Sequence, residues 1–172
     1  MKINIGGANI EGWIQTTYNE KFGVISDLAK NPIEKESVDF IYSSVSLEHL
    51  VPAKAKDFLA VCYDVLKIVG SIRIVSLDLD SLVNLYKGNW KNQQWLKSGQ
   101  YSKVDSRCKM LNTVMRDWGH KYIYNFEDLS ALMEEVGFID IEKKDFGKSD
   151  IDELKKIDKK KDSKLIVEGT KL

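Results

Sequence analysis

Glu48 and His49 stand side by side in Leu47-Glu48-His49, just after the serines Ser43, Ser44 and Ser46. A carboxylate next to an imidazole can move a proton near neutral pH, because histidine titrates there and positioned side chains accept protons in transition states. Ahead of the serines runs Val38 to Tyr42, a β-branched and aromatic segment of strand length, and after Pro52 an amphipathic stretch follows. A strand, a polar turn, a helix and a second strand make a βαβ unit, and ligands bind such units at the turn. His49 also has a structural use, packed under the loop and bonding backbone. Glu48 can equally orient the turn or a neighbouring helix N-terminus.

Other chemistry-bearing residues fall at strand ends. Lys2 to Ile5 runs into Gly6-Gly7, where glycine tolerates positive φ and lets a ligand approach the backbone. Asp27-Leu28 follows Val24-Ile25, a short strand; the aspartate can accept from an exocyclic amine or cap the turn at Asn31-Pro32. Asp78 either N-caps the next helix or faces an acceptor, and His120 in Gly119-His120-Lys121-Tyr122 either pins a cap or faces that acceptor. Cys62, on an apolar helix face, and Cys108, in a polar stretch, make neither a disulfide framework nor a metal set, so no metal is expected.

The elements that must position these groups follow from periodicity. Ala55, Phe58, Leu59, Cys62, Val65 and Leu66 give the helix after Pro52 one buried face, with its end expected near Val69-Gly70. Ser71 to Leu77 alternates as a strand; Leu79, Leu82, Val83 and Tyr86 repeat as a helix closed by Gly88. From 89 to 126 the pattern is irregular and holds Trp90, Trp95 and Trp118, three of the four tryptophans, which reads as a cap insertion covering the sheet edge. Glu127 to Val136 is a helix ending at Gly137, Phe138 to Ile141 a strand, and Leu165 to Val167 the last strand. Gly147 to Ser163, rich in Lys and Asp, reads as a solvated loop or short surface helix.

The fold class is therefore α/β, a doubly wound, mostly parallel Rossmann-like sheet with an antiparallel last strand, in a single domain over 1–172. Lys plus Arg (26) balances Asp plus Glu (26), which removes any whole-molecule drive toward nucleic acid or an anionic membrane. The longest apolar runs are strand-sized and no secretory leader is read, so a cytoplasmic protein without a membrane span is expected. A nicotinamide-dependent dehydrogenase would want a fuller glycine fingerprint opening a helix, which Asn9 to Trp13 does not supply.

The chain resembles small class I S-adenosylmethionine-dependent methyltransferases of the type-11 kind, particularly short ones linked to surface-polysaccharide synthesis. The resemblance is carried by Asn4-Ile5-Gly6-Gly7, Gly12-Trp13-Ile14-Gln15, Asp27-Leu28 and Ser37-Val38-Asp39-Phe40-Ile41-Tyr42-Ser43-Ser44. It continues through Leu47-Glu48-His49, Asp64-Val65-Leu66-Lys67, Arg73-Ile74, Asp78-Leu79, Gly119-His120-Lys121-Tyr122, Val136-Gly137-Phe138 and Val167-Glu168-Gly169. It implies S-adenosylmethionine as cofactor, with Gly6 and Gly7 under the methionine portion, Asp27 and Leu28 at the adenine, and Ser43 and Ser44 beside it. The acceptor implied is a small molecule or glycan, with His49 or Glu48 as its base.

Departures from that pattern are specific. The acidic residue that grips the ribose at the end of the second strand is Thr17 here, with Glu20 close enough to substitute. The glycine turn is followed by Ala8-Asn9, the family's first histidine after the serines is Val45, and its Pro-Gly-Gly turn is Ile68-Val69-Gly70. The N-terminal helices of larger relatives are missing, which could leave an apolar face for a second copy to cover as a homodimer. A catalytically weak, degenerate domain that only binds is the alternative to an active enzyme.

Overall fold

Along Val38–Ser44 successive side chains point to opposite faces, Ile41 to one and Phe40 and Tyr42 to the other, as a strand with both faces covered requires. The computed structural model describes residues 1–21 and 23–172. Among them the strands are β1 (Lys2–Gly6), β2 (Ile14–Asn19), β3 (Val24–Asp27), β4 (Val38–Ser44), β5 (Leu66–Ser76), β6 (Phe138–Lys143) and β7 (Leu165–Lys171). The α-helices are α1 (Pro52–Val65), α2 (Leu79–Lys87), α3 (Arg107–Asn112) and α4 (Phe126–Val136). One seven-stranded sheet forms in the order β3-β2-β1-β4-β5-β7-β6. β2, β1, β4 and β5 pair in parallel, and β7 runs against both β5 and β6.

β3 also runs against the grain, antiparallel to β2, because the connection beginning at Asn19 is a tight hairpin closed by a Gly23 N–H to Asn19 carbonyl bond of 2.8 Å. The β1–β2 connection is as abrupt. Seven residues carry the chain from Gly6 back to Ile14 beside Ile3, too few for a crossover helix.

The two faces are covered differently. α1 and α4 bury Phe58, Leu59, Cys62, Leu129 and Met133 against Ile3, Ile5, Ile41 and Ile72 on one face. On the other face the segment after β6 supplies Leu154 and Ile157, which pack with Tyr42, Val75 and Ile166, joined by Ile10 and Trp13 from the β1–β2 loop. The expectation of a solvated loop at Gly147–Ser163 is corrected here: Leu154, Ile157, Asp158 and Ser163 are buried. The cause is Arg73, fully buried in β5. It donates to Asp158 through Nε (2.9 Å) and a terminal nitrogen (2.5 Å), and to Glu168 (2.5 Å). A buried guanidinium needs such partners, so the loop is drawn onto the sheet.

The expected end of α1 near Gly70 is also corrected. The helix stops at Val65, and Leu66 already pairs with Val38; between Leu66 and Ser71 the strand bulges, with Val69 at φ 59 and three-quarters exposed.

Candidate active site

β1 ends at Gly6, which pairs with Ser44 at the end of β4, so both turns rise from one edge of the sheet. Gly6 and Gly7 have φ values of 69 and 62, the left-handed region. Ser46 Oγ donates toward the carbonyls of Ile5 (3.3 Å) and Ser44 (3.2 Å), lacing the two strand ends together. Beneath the turn, buried Asn4 donates to the Ala8 carbonyl (2.9 Å) and to Gln15 Oε1 (2.6 Å), and Gln15 returns a bond to the Gly6 carbonyl (3.2 Å). Two side-chain amides thus fix the glycine turn from below. Sequence reasoning missed both as functional residues; the signal was the pair of amides one strand apart beside Gly6-Gly7.

Beyond Ser46 the chain makes a 3₁₀ turn, Leu47–His49. Glu48 is fully buried. Its Oε2 accepts from Ser76 Oγ (3.0 Å) at the end of β5, and its Oε1 has no hydrogen-bond partner. The Glu48 carbonyl accepts from the backbone N–H groups of Lys121 (2.8 Å) and Tyr122 (3.3 Å). Those two bonds dock Gly119-His120-Lys121-Tyr122 onto the turn and bring His120 beside His49, with ring centroids 4.9 Å apart. His49 Nδ1 lies 3.2 Å from the Gly119 carbonyl, and His120 Nδ1 lies 2.5 Å from the Val114 carbonyl. Trp118 stands edge-on to His120 at 5.8 Å and donates to the Tyr101 hydroxyl (2.8 Å), while Trp95 packs on both rings. The irregular tryptophan-rich segment therefore forms an aromatic wall beside the histidine pair.

Seven buried side-chain polar atoms among the described residues lack a hydrogen-bond partner. Asn4 Oδ1, Ser43 Oγ, Ser44 Oγ and Glu48 Oε1 are four of them, all on β1, β4 or the turn that follows. Orphaned polar groups are costly, and four of the seven gather on this one edge.

The remaining candidates lie elsewhere. Asp27, at the end of β3, sits level with Thr16 of β2, three strands from β4, and its carboxylate accepts from the Asn31 side chain (3.0 Å) and backbone (2.9 Å). Those bonds from Asn31 hold its pKa below the usual carboxylate range. Leu28 follows, 70% exposed. Glu20 is exposed and lines a shallow recess of about 390 Å³ with Lys21 and Lys54. Thr17 is exposed on β2. The structure thus brings Gly6, Gly7, Ser43, Ser44, Glu48 and His49 to one edge, and does not bring Asp27 and Leu28 onto it. Asp78 N-caps α2, accepting from Asp80 N–H (3.2 Å), and also takes bonds from Ser81 and Lys143. A larger recess, about 800 Å³, opens where β6 ends and β7 begins, among Lys143, Lys144, Lys148 and Lys164. Lys143 is paired there with Asp78, and Lys144 with Glu142 and Asp150.

Residues 9–74 match the methyltransferase domain family. Among solved structures the chain is similar to a SAM-dependent methyltransferase from Thermotoga maritima, at 15% identity over 94% of this chain and 65% of that one, with a TM-score of 0.51. It is also similar to a SAM-dependent methyltransferase from Archaeoglobus fulgidus (19% identity, 81% and 62% covered, TM-score 0.44) and to human N-acetylserotonin methyltransferase in complex with SAM (16%, 78% and 30%, 0.46). Other matched methyltransferases are spanned for only 34% and 32% of their length. The chain matches no curated protein. The Thermotoga match shows the fold: a Rossmann-like methyltransferase sheet. No helix among the described residues is long and apolar enough to cross a membrane.

Proposed function

We propose that this chain is an S-adenosylmethionine-dependent methyltransferase acting on a small-molecule acceptor. One observation carries the reading. The glycine turn after β1 and the Glu48–His49–His120 group after β4 share a single edge of a sheet with the methyltransferase strand order. The residues there fit the cofactor's methionine end: backbone at positive φ on Gly6 and Gly7, with orphaned buried oxygens on Asn4, Ser43 and Ser44.

When bound, the cofactor supplies an electrophilic methyl group on a sulfonium, so the chain has only to bind, align and exclude water. Gly6, Gly7, Ser43 and Ser44 would hold the methionine portion and Glu20 would reach the ribose, while Asp27 and Leu28, which lie off this edge, are not assigned to the adenine. His49 and Glu48 are assigned to the acceptor. With Nδ1 turned to a carbonyl, His49 keeps the Nε2 lone pair for an acceptor O–H or N–H. The family resemblance directs the first acceptor screen to sugars and glycan precursors.

Titration with S-adenosylhomocysteine tests this. A hundredfold excess over Kd stabilises the fold by about 2.7 kcal/mol, a rise in Tm of roughly 5–10 °C for a chain of this size. Absence of both heat and thermal shift at millimolar ligand overturns the proposal. Thr17→Asp, which places a carboxylate within β2, two residues short of its end, is expected to tighten binding about tenfold, since bonds to charged groups are worth roughly 1.5–3 kcal/mol against about 0.5–1.5 for neutral ones.

Exposed Thr17 at the ribose position favours a second reading, a domain that binds the cofactor weakly without turnover. Binding of S-adenosylhomocysteine, with no transfer of labelled methyl to any acceptor in a sugar mixture, selects it.

A further inference from the structure

Glu48, His49 and His120 each bring one potential ligand atom to within 4.8 Å of the others. Three features decide which ligand atoms stay free there. A carbonyl only accepts, so Nδ1 of His49 against Gly119 and Nδ1 of His120 against Val114 must carry protons in the neutral rings. Both Nε2 atoms therefore keep their lone pairs, the arrangement in which a backbone carbonyl orients an imidazole toward a metal. Glu48, with no exposed surface, presents an orphaned Oε1 while Ser76 holds its other oxygen. A buried carboxylate with one unpaired oxygen beside two imidazole lone pairs is a site short of a cation.

We propose that Glu48 Oε1, His49 Nε2 and His120 Nε2 bind a divalent transition-metal ion of the zinc type. Two imidazole nitrogens and a carboxylate suit zinc and its neighbours, whereas magnesium and calcium demand an all-oxygen shell. Bonds of about 2.0–2.1 Å set tetrahedral ligand atoms roughly 3.3–3.4 Å apart, against a separation of at most 4.8 Å between ligand atoms of these three residues. Three protein ligands leave a fourth position for water or an acceptor oxygen. With the ion bound, Glu48 and His49 hold the metal instead of taking the proton themselves, and an acceptor hydroxyl in the fourth position would lose its proton to water more readily. That role rests on the methyltransferase reading; ion binding does not.

The test uses the untagged full chain, stripped by chelator and titrated with Co²⁺, whose visible d–d absorption reports a low-coordinate N/O site. One equivalent is expected to bind and to be displaced by Zn²⁺. His120→Ala and His49→Ala should each weaken binding at least a hundredfold. Glu48→Gln should do the same; because it alters a buried site, His120→Gln, with unchanged near-ultraviolet circular dichroism, stands as the second variant. Cys108→Ser, at the exposed thiol, should leave binding intact. No uptake by the wild type, uptake that survives the His49→Ala/His120→Ala pair, or loss in Cys108→Ser overturns the site. S-adenosylhomocysteine titrated into the same samples separates the two readings. Nucleoside binding without metal sinks only the ion, and metal binding without the nucleoside sinks only the methyltransferase.

Discussion

Gly6→Ala tests whether the joined β1 and β4 turns are as tightly fitted as the geometry says. Two costs add. At φ 69 an alanine sits in the left-handed region, a penalty of about 1–2 kcal/mol, partly offset by the 0.4–1 kcal/mol that alanine saves in the unfolded chain. The new Cβ would also run into Ser46 Oγ and stand 2.8 Å from the Ser44 carbonyl oxygen. Ser46 can rotate away, losing its bonds to Ile5 and Ser44, but the Ser44 carbonyl is strand backbone and moves only with β4. Such overpacking costs about 1–3 kcal/mol, for a total near 2–4 kcal/mol. Gly12→Ala is the internal control. Its φ is 76 and nothing lies within 4 Å of the added Cβ, so it carries the backbone penalty alone, about 1 kcal/mol or less. Urea unfolding of the two variants should show Gly6→Ala worse by about 1–3 kcal/mol, and Gly6→Ala/Ser46→Ala only partly rescued. Equal losses in Gly6→Ala and Gly12→Ala would refute the claim that the strand ends close on one another.

Three further outcomes follow from strain and charge. Val69, a β-branched residue at φ 59 with three-quarters of its surface exposed, is strained without packing in return, so Val69→Gly should raise stability by about 1 kcal/mol in a thermal melt. Arg73→Met strands the buried Asp158 and Glu168 carboxylates and should cost about 3–5 kcal/mol, with the segment 145–163 becoming protease-sensitive; an intact fold by both measures would contradict it. Asp39 is held at about 2 by hydrogen bonds from Lys67 and from the Met1 ammonium. A carboxylate depressed in the folded state stabilises above its unfolded value, near 4, and that contribution drains away as pH falls from about 4 toward 2. Because its side chain is 41% exposed, solvent screening limits the effect to less than about 1 kcal/mol. The stability gap between wild type and Asp39→Asn should therefore be present at pH 6 and shrink as pH falls below 4.

The sheet was legible where local pattern decides. Ala55, Phe58, Leu59, Cys62 and Val65, spaced for one helix face, are the buried face of α1, and Asn125 and Gly137 cap α4 as their types suggest. What escaped were interactions whose partners lie far along the chain. Arg73 reads as an ordinary polar residue in an alternating strand until Asp158 and Glu168 return to it, and nothing in a Lys- and Asp-rich segment announces a buried acid. Leu66 continues the apolar spacing of α1 and Gly70 offers a stop, so the pattern reads as a helix to Gly70; pairing of Leu66 with Val38 wins instead. Glu48-His49 was visible as a pair, and His120 as a residue that pins a cap or faces the acceptor, but their convergence was not. His120 arrives through two backbone bonds to the Glu48 carbonyl, and backbone bonds leave no mark on residue type.

The two halves of the proposed site are built by different means. On the β1 side a seven-residue connection replaces a crossover helix, so no long helix N-terminus presents its N–H groups and dipole behind the glycine turn. Asn4 and Gln15 hold the turn in place, which fixes backbone shape but adds no formal charge. On the β4 side a buried carboxylate, two carbonyl-oriented imidazoles and an aromatic wall converge, each held by several bonds. Preorganisation is therefore strong where an acceptor would react and weak where a nucleoside would be gripped. Binding energy missing from the cofactor half is felt equally in ground and transition states. On the proposed reading, a deficit of that kind raises the cofactor concentration needed for half-saturation and leaves the chemical step itself unaltered.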